Sequence, residues 1–173
     1  MSPQLIFDIH LVLGYVAWGL CTATYILPKL KSMEPVAAQR AIATLHSFRI
    51  FGLVFILPGV VGNLPAGFGP FAAYGDFATG LLAIVALLAI RIKPLFWTSV
   101  VAFNAVGAAD ILVDYYHGVV LNLPVHAGEL GSTYGIVILY VPLLMITHGI
   151  ALYLMLRRQS RTSAAMARNM VTY

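Results

Sequence analysis

Long apolar runs alternate along this chain with short connections that are polar or rich in glycine and proline. Crossing the hydrocarbon core of a bilayer takes about 20 helical residues. Runs of that order occur at 5–27, 45–62, 71–90, 95–118 and 133–156. The first is expected to stop at Pro28-Lys29. The polar stretch that follows, 29–43, reads as an interfacial helix capped by Ser32, with Pro35 in its first turn where a missing N–H costs nothing. It leads into the second run, where Pro58-Gly59 predicts a kink. The sequence NLPAGFGP at 63–70 reads as a turn-rich loop, Arg91-Ile92-Lys93-Pro94 as a tight connection, and 119–132, with Pro124, Gly128 and Gly131, as a second loop. A basic tail starts at RRQSR, and 159–173 is expected to be unstructured. The runs lack the alternation of barrel strands. The pattern predicts an all-α integral membrane protein, a bundle of about five transmembrane helices over 1–158.

Composition agrees. Hydrophobic residues make up 61% of the 173 and charged residues 9%, against about 25% charged in soluble domains. Mean hydropathy is +0.91. The net charge of +4 would raise the question of nucleic acid in a soluble protein. Here the basic residues flank apolar runs and form no aromatic-interleaved patch, so they are read as topology signals and lipid-headgroup contacts. The single cysteine, Cys21, excludes an internal disulfide, a cysteine-based zinc site and a CxxCH haem attachment. Residues 1–10 lack the positive start of a cleaved signal peptide, so the first run is expected to stay in the membrane.

Charge also predicts orientation. With five spans, all ten basic residues fall on one side, which the positive-inside rule makes cytoplasmic. Among the acids only Glu34 joins them, whereas Asp8, Asp76, Asp110, Asp114 and Glu129 lie in or near the opposite half. The N-terminus is thus expected outside, the C-terminus inside, and the location a bacterial cytoplasmic (inner) membrane. The expected partners are the lipid bilayer and either other membrane subunits or further copies of the chain.

Ionisable groups inside a membrane are costly and tend to face the bundle interior. At about 100° per residue, Asp110, Asp114 and His117 fall within an arc of about 60° on the fourth span. Asp76 and His10 enter the third and first spans at similar depth from outside. Two carboxylates and an imidazole on one face predict an extracytoplasmic-side site that binds a cation or small ligand, or relays protons. A divalent metal held by Asp110, Asp114 and His117 is one form of it. The competing reading leaves Asp114 and His117 among headgroups, in a belt with Tyr115 and Tyr116.

The histidines suggest an alternative. His10 and His117 match in depth near the outer side, as do His46 and His148 near the inner. Two bis-histidine pairs would bind two b-type haems as a transmembrane electron wire, with Gly14 easing the approach of a macrocycle. A third reading is a non-catalytic accessory subunit whose polar groups only fix helix packing. Arg49, at the start of the second run, reads as a snorkelling boundary residue, and His148 taken alone as a satisfied hydrogen-bonder. His126 and Glu129 are expected to be solvated in their loop. Trp97, Phe68, Phe71 and Tyr134 read as interfacial anchors. No nucleotide-binding, zinc-protease or hydrolase motif occurs, so no reaction can be written.

Overall fold

The computed structural model describes residues 1–171, with side chains through Arg157. Among these residues there is no strand. The helices are α1 (Pro3–Cys21), α2 (Leu27–Ser32), α3 (Pro35–Ser47), α4 (Phe68–Leu88), α5 (Lys93–Val120) and α6 (Val141–Val171), joined in part by short 3₁₀ and π segments. The tail expected to be unstructured lies outside the residues whose side chains are described.

Four helical stretches are long and apolar enough to cross a membrane: Pro3–Ser32, Phe68–Arg91, Lys93–Val120 and Ile136–Arg157. Their outward faces carry large apolar side chains, among them Val12, Leu20, Leu81, Val101, Leu112 and Leu139. So much exposed apolar surface suits lipid rather than water.

Proline does not end the first stretch as its sequence suggests. A π segment at Thr22–Ile26 widens the helix, and the Leu27 N–H reaches back five residues to the Thr22 carbonyl. Pro28 then follows without a break, and α2 continues to Ser32. The same device recurs before Pro142, where the π segment Ile136–Tyr140 closes with Val141 N–H on the Ile136 carbonyl. A proline clashes with the carbonyl four residues back and has no N–H to give it. Shifting the preceding N–H by one residue absorbs both defects. Gly14 of α1 meets this second π segment. A Cβ there would run into the Ile138 carbonyl oxygen, so this glycine serves backbone-to-backbone approach of two helices rather than a macrocycle.

The second expected run departs furthest from its prediction. The helix has Pro35 in its first turn as expected, but α3 is capped by Glu34, whose carboxylate accepts from the N–H groups of Val36 and Ala37. Ser32 instead donates to the Lys29 carbonyl. After Ser47 the chain tightens into a 3₁₀ segment, Phe48–Ile56, and leaves the helix at Leu57. Pro58-Gly59 is therefore a turn beyond the helix, with Gly59 at φ 81°. The 3₁₀ segment lies close on α4: a Cβ at Gly52 would meet Asp76, and one at Gly80 would lie 2.7 Å from the Ile50 nitrogen.

Beyond α5, 3₁₀ turns over Leu123–Thr133, interrupted at His126 and Gly131, pack on α1. Glu129 ties it to the 57–67 connection. Its carboxylate accepts from the Asn63 N–H at 2.7 Å, and its carbonyl accepts from the Gly62 N–H at 2.7 Å. Glu129 is thus a structural clasp rather than a solvated loop residue, while His126 is exposed as expected.

Two apolar clusters fill the bundle. One, at the end bearing most of the basic residues, includes Ile42, Ala83, Phe96, Phe103 and Ala151. The other, at the opposite end, includes Phe7, Phe55, Phe68, Leu130 and Ile138. Phe68 is 4% exposed within it and is no interfacial anchor. Between the clusters, the 3₁₀ segment and α3, α4, α5 and α6 each contribute buried polar side chains to one layer: Arg49 and His46, Asp76 and Thr79, Asn104, and Thr147 and His148.

Candidate functional site

Arg49 organises that layer. It is 1% exposed, at mid-bundle rather than at a boundary. The course of α3 into the bundle rather than along an interface explains this: 13 α-helical residues at about 1.5 Å each carry the chain about 20 Å before Arg49 is reached. All three guanidinium nitrogens are engaged. Nε donates to Asp76 Oδ1 at 2.6 Å, and Nη2 to Asp110 Oδ2 at 2.5 Å. Nη1 lies 3.2 Å from the Gly107 carbonyl oxygen and 3.2 Å from His148 Nε2. The planar fork of arginine reaches two carboxylates at once. An isolated buried cation would be prohibitively costly, and the carboxylates compensate it.

Four glycines make the space. Side chains at Gly52, Gly75 or Gly107 would collide with Asp76, Asp110, or Arg49 and His148 respectively, and Gly80 brings α4 against the backbone that carries Arg49. Beyond Arg49 the hydrogen bonds assign tautomers. His148 Nε2 faces a donor, so its Nδ1 carries the proton and donates to Asn104 Oδ1 at 3.0 Å. Asn104 in turn donates to the Val100 carbonyl. The Thr147 hydroxyl donates to the Leu143 carbonyl, so His46 Nε2 is the donor to Thr147 Oγ1 at 3.0 Å. His46 Nδ1 is left buried with no partner among the described residues.

The expected site residues divide. Asp76 and Asp110 converge on Arg49. Asp114, one turn beyond Asp110, is not held by it; its Oδ1 is buried and has no hydrogen-bond partner among the described residues. Asp114 and Asp76 both line a cavity of about 170 Å³, roughly the liquid volume of six waters at about 30 Å³ each. Phe7, Phe55, Phe68 and Leu123 form apolar walls, Asp8 stands among the lining residues, and no basic residue does. Tyr115, also lining it, shares a 2.5 Å hydroxyl contact with Tyr15 of α1. His117 is turned aside onto Phe71, with ring centroids 4.4 Å apart. His10 is exposed and pairs with the Tyr134 hydroxyl at 2.8 Å, apart from the carboxylates.

These placements do not suit the expected cofactors. Asp110 is committed to a guanidinium, and among the described residues no group of three or more His, Cys, Asp and Glu is placed to hold a metal ion. Asp110, Asp114 and His117 therefore do not form a metal centre here. The His46 and His148 rings are in contact, tilted by 42° with centroids 4.0 Å apart, leaving no slab between them for a macrocycle. With His148 Nε2 on Arg49 and His10 on Tyr134, the four histidines do not frame haem.

Arg49 is the residue that sequence reasoning missed. The available signal was charge balance: carboxylates facing a bundle interior call for a cation, and His46-x-x-Arg49 was the nearest polar helix face. No curated protein and no solved structure matches the chain. A family model matches residues 6–156, a span that takes in the whole polar layer and the cavity, and on that match the chain belongs to the family described as Domain of unknown function (DUF8737).

Proposed function

We propose that this is an integral membrane protein that binds a small organic cation, a protonated amine with an apolar body, in the cavity lined by Asp76 and Asp114. One observation carries the reading: a buried carboxylate oxygen without a partner, Asp114 Oδ1, in an apolar, aromatic-walled cavity whose lining has carboxylates and no base. An ammonium supplies the missing donor and the opposite charge, and the walls take its hydrocarbon. Arg49 holds Asp76 and Asp110 from behind, which leaves Asp114 as the carboxyl group open to a ligand. Protons and amines exclude one another at Asp114, so affinity falls as the pH is lowered.

The membrane reading has independent support. Lys29 and Lys31 end α2, Arg91 and Lys93 flank the turn between α4 and α5, and Lys31 and Arg157 line one cavity. The segment from Pro35 to Ile56 supplies the fifth crossing: α3 and its 3₁₀ extension rise about 38 Å together, enough for a hydrocarbon core of about 30 Å. The cavity then opens on the extracytoplasmic side of a cytoplasmic membrane. A reporter inserted at Gly128 should read external and one fused after Tyr173 cytoplasmic; a cytoplasmic signal at Gly128 would overturn this orientation.

The binding test uses purified protein and primary alkyl- and benzylammonium ions, with the matching neutral alcohols as controls. The amines should bind about tenfold or more tighter than the alcohols, the scale of a charge-assisted hydrogen bond in a water-poor cavity. Asp114→Asn keeps the shape, cannot ionise, and should erase that difference while the unfolding midpoint holds. Equal binding of amines and alcohols, or an unaltered preference in Asp114→Asn, would refute the proposal.

A further inference from the structure

We infer that the cavity at the basic end of the bundle, remote from the acidic one, is a binding site for the headgroup of an anionic, hydroxylated phospholipid of the phosphatidylglycerol type. The cavity measures about 200 Å³ and is formed where α2, α3, α5 and α6 meet, by Lys31, Gln39, Trp97 and Arg157 among others. Its composition inverts that of the acidic cavity: among the described residues, two cations line it and no acid does. Lys31 Nζ also lies over the Tyr153 ring, 5.2 Å from its centroid.

Gln39 gives the second, independent indication. It is 1% exposed, and its Nε2 donates to the Ala151 carbonyl at 3.0 Å. Its Oε1 is buried with no partner among the described residues. Burying an acceptor without a donor is unfavourable, so an occupant that brings a hydroxyl to Gln39 removes a defect. One molecule meeting all the features carries an anion for Lys31 and Arg157, a hydroxyl donor for Gln39, and hydrocarbon to lie along Leu154 and Met155. The position suits a lipid, since Lys29 of α2 and Arg91 after α4 add basic residues at helix ends, where such residues meet anionic headgroups. The inference does not depend on amine binding in the acidic cavity.

Tryptophan fluorescence tests it in the full chain. The protein has two tryptophans, and Trp18→Phe leaves Trp97, in the cavity wall, as the sole emitter. Phosphatidylglycerol with brominated chains, titrated into protein in neutral detergent, should quench Trp97 at a lower concentration than brominated phosphatidylcholine. This comparison needs no cavity variant. Lys31→Gln with Arg157→Gln should then weaken phosphatidylglycerol binding about thirtyfold. The control pair Arg40→Gln with Lys93→Gln removes equal charge from exposed positions outside the cavity and should leave binding intact. Gln39→Leu should narrow the preference for phosphatidylglycerol over phosphatidic acid, which lacks the glycerol hydroxyls. The inference is overturned if phosphatidylcholine quenches equally, if the control pair loses as much as the cavity pair, or if inorganic phosphate displaces the lipid at comparable concentration, which would make this a free-anion site.

Discussion

Arg49→Met is expected to destabilise the protein by about 3–5 kcal/mol, the usual cost of removing one partner from a buried ion pair. The side chain is 1% exposed and holds two carboxylates, Asp76 at 2.6 Å and Asp110 at 2.5 Å. Methionine fills much of the volume but leaves those carboxylates facing each other across a water-poor layer. Arg49→Lys should recover only part of the loss, because one ammonium cannot present a planar fork to two acceptors on different helices. The triple variant Arg49→Met, Asp76→Asn, Asp110→Asn should recover most of it, since it removes the charges together. Chemical unfolding in detergent gives the comparison. An Arg49→Met midpoint equal to that of the native chain would show that the layer is not held by this ion pair.

Gly107→Ala should cost about 1–3 kcal/mol as an overpacking change, and Gly107→Val more. A Cβ at Gly107 would lie 2.6 Å from His148 Nε2, 2.6 Å from Thr79 Cγ2 and 2.7 Å from Arg49 Nη1. Thr79, His148 and Arg49 are themselves buried, so none can swing into open space. Gly149 of α6 provides the contrast. Nothing lies within 4 Å of a Cβ built there, so Gly149→Ala should be neutral or stabilising by up to about 1 kcal/mol through helix propensity. Unfolding midpoints of the two alanine variants should therefore move in opposite directions, or one should fall while the other holds. If both fell equally, helix flexibility rather than steric room would be what these glycines supply.

Much of the bundle is legible in the chain. Four of the five predicted runs coincide with apolar helical stretches, because length and uniform hydrophobicity are properties of consecutive residues. The second run has no such counterpart, because its helix leaves the apolar run at Leu57 and takes up the polar stretch before it. Hydropathy reads Gln39 and Arg40 as interface, and His46 and Arg49 as the boundary where the apolar run starts. The structure buries three of those four against α6 and the carboxylates. The prolines misled in a related way. Pro28 marks a stop locally, yet a π turn of five residues absorbs it and the helix continues.

Composition and local pattern by themselves determined the helical class, most of the apolar stretches and the charge asymmetry between the two ends, since each depends on residues near one another in the chain. The facing of Asp110 and Asp114 on one helix was legible too, from a period of 3.6 residues. Which partner each acid takes was decided only by the tertiary structure. Asp110 is 61 residues from Arg49, and His148 lies 99 residues from it. No local rule relates such positions, and the difference between a metal ligand, a haem ligand and an ion-pair partner rests on a few ångströms between separate helices. The glycines at 52, 75, 80 and 107 set those ångströms by letting backbones approach. Their meaning depends on what lies across the gap, which the sequence of a single helix does not record.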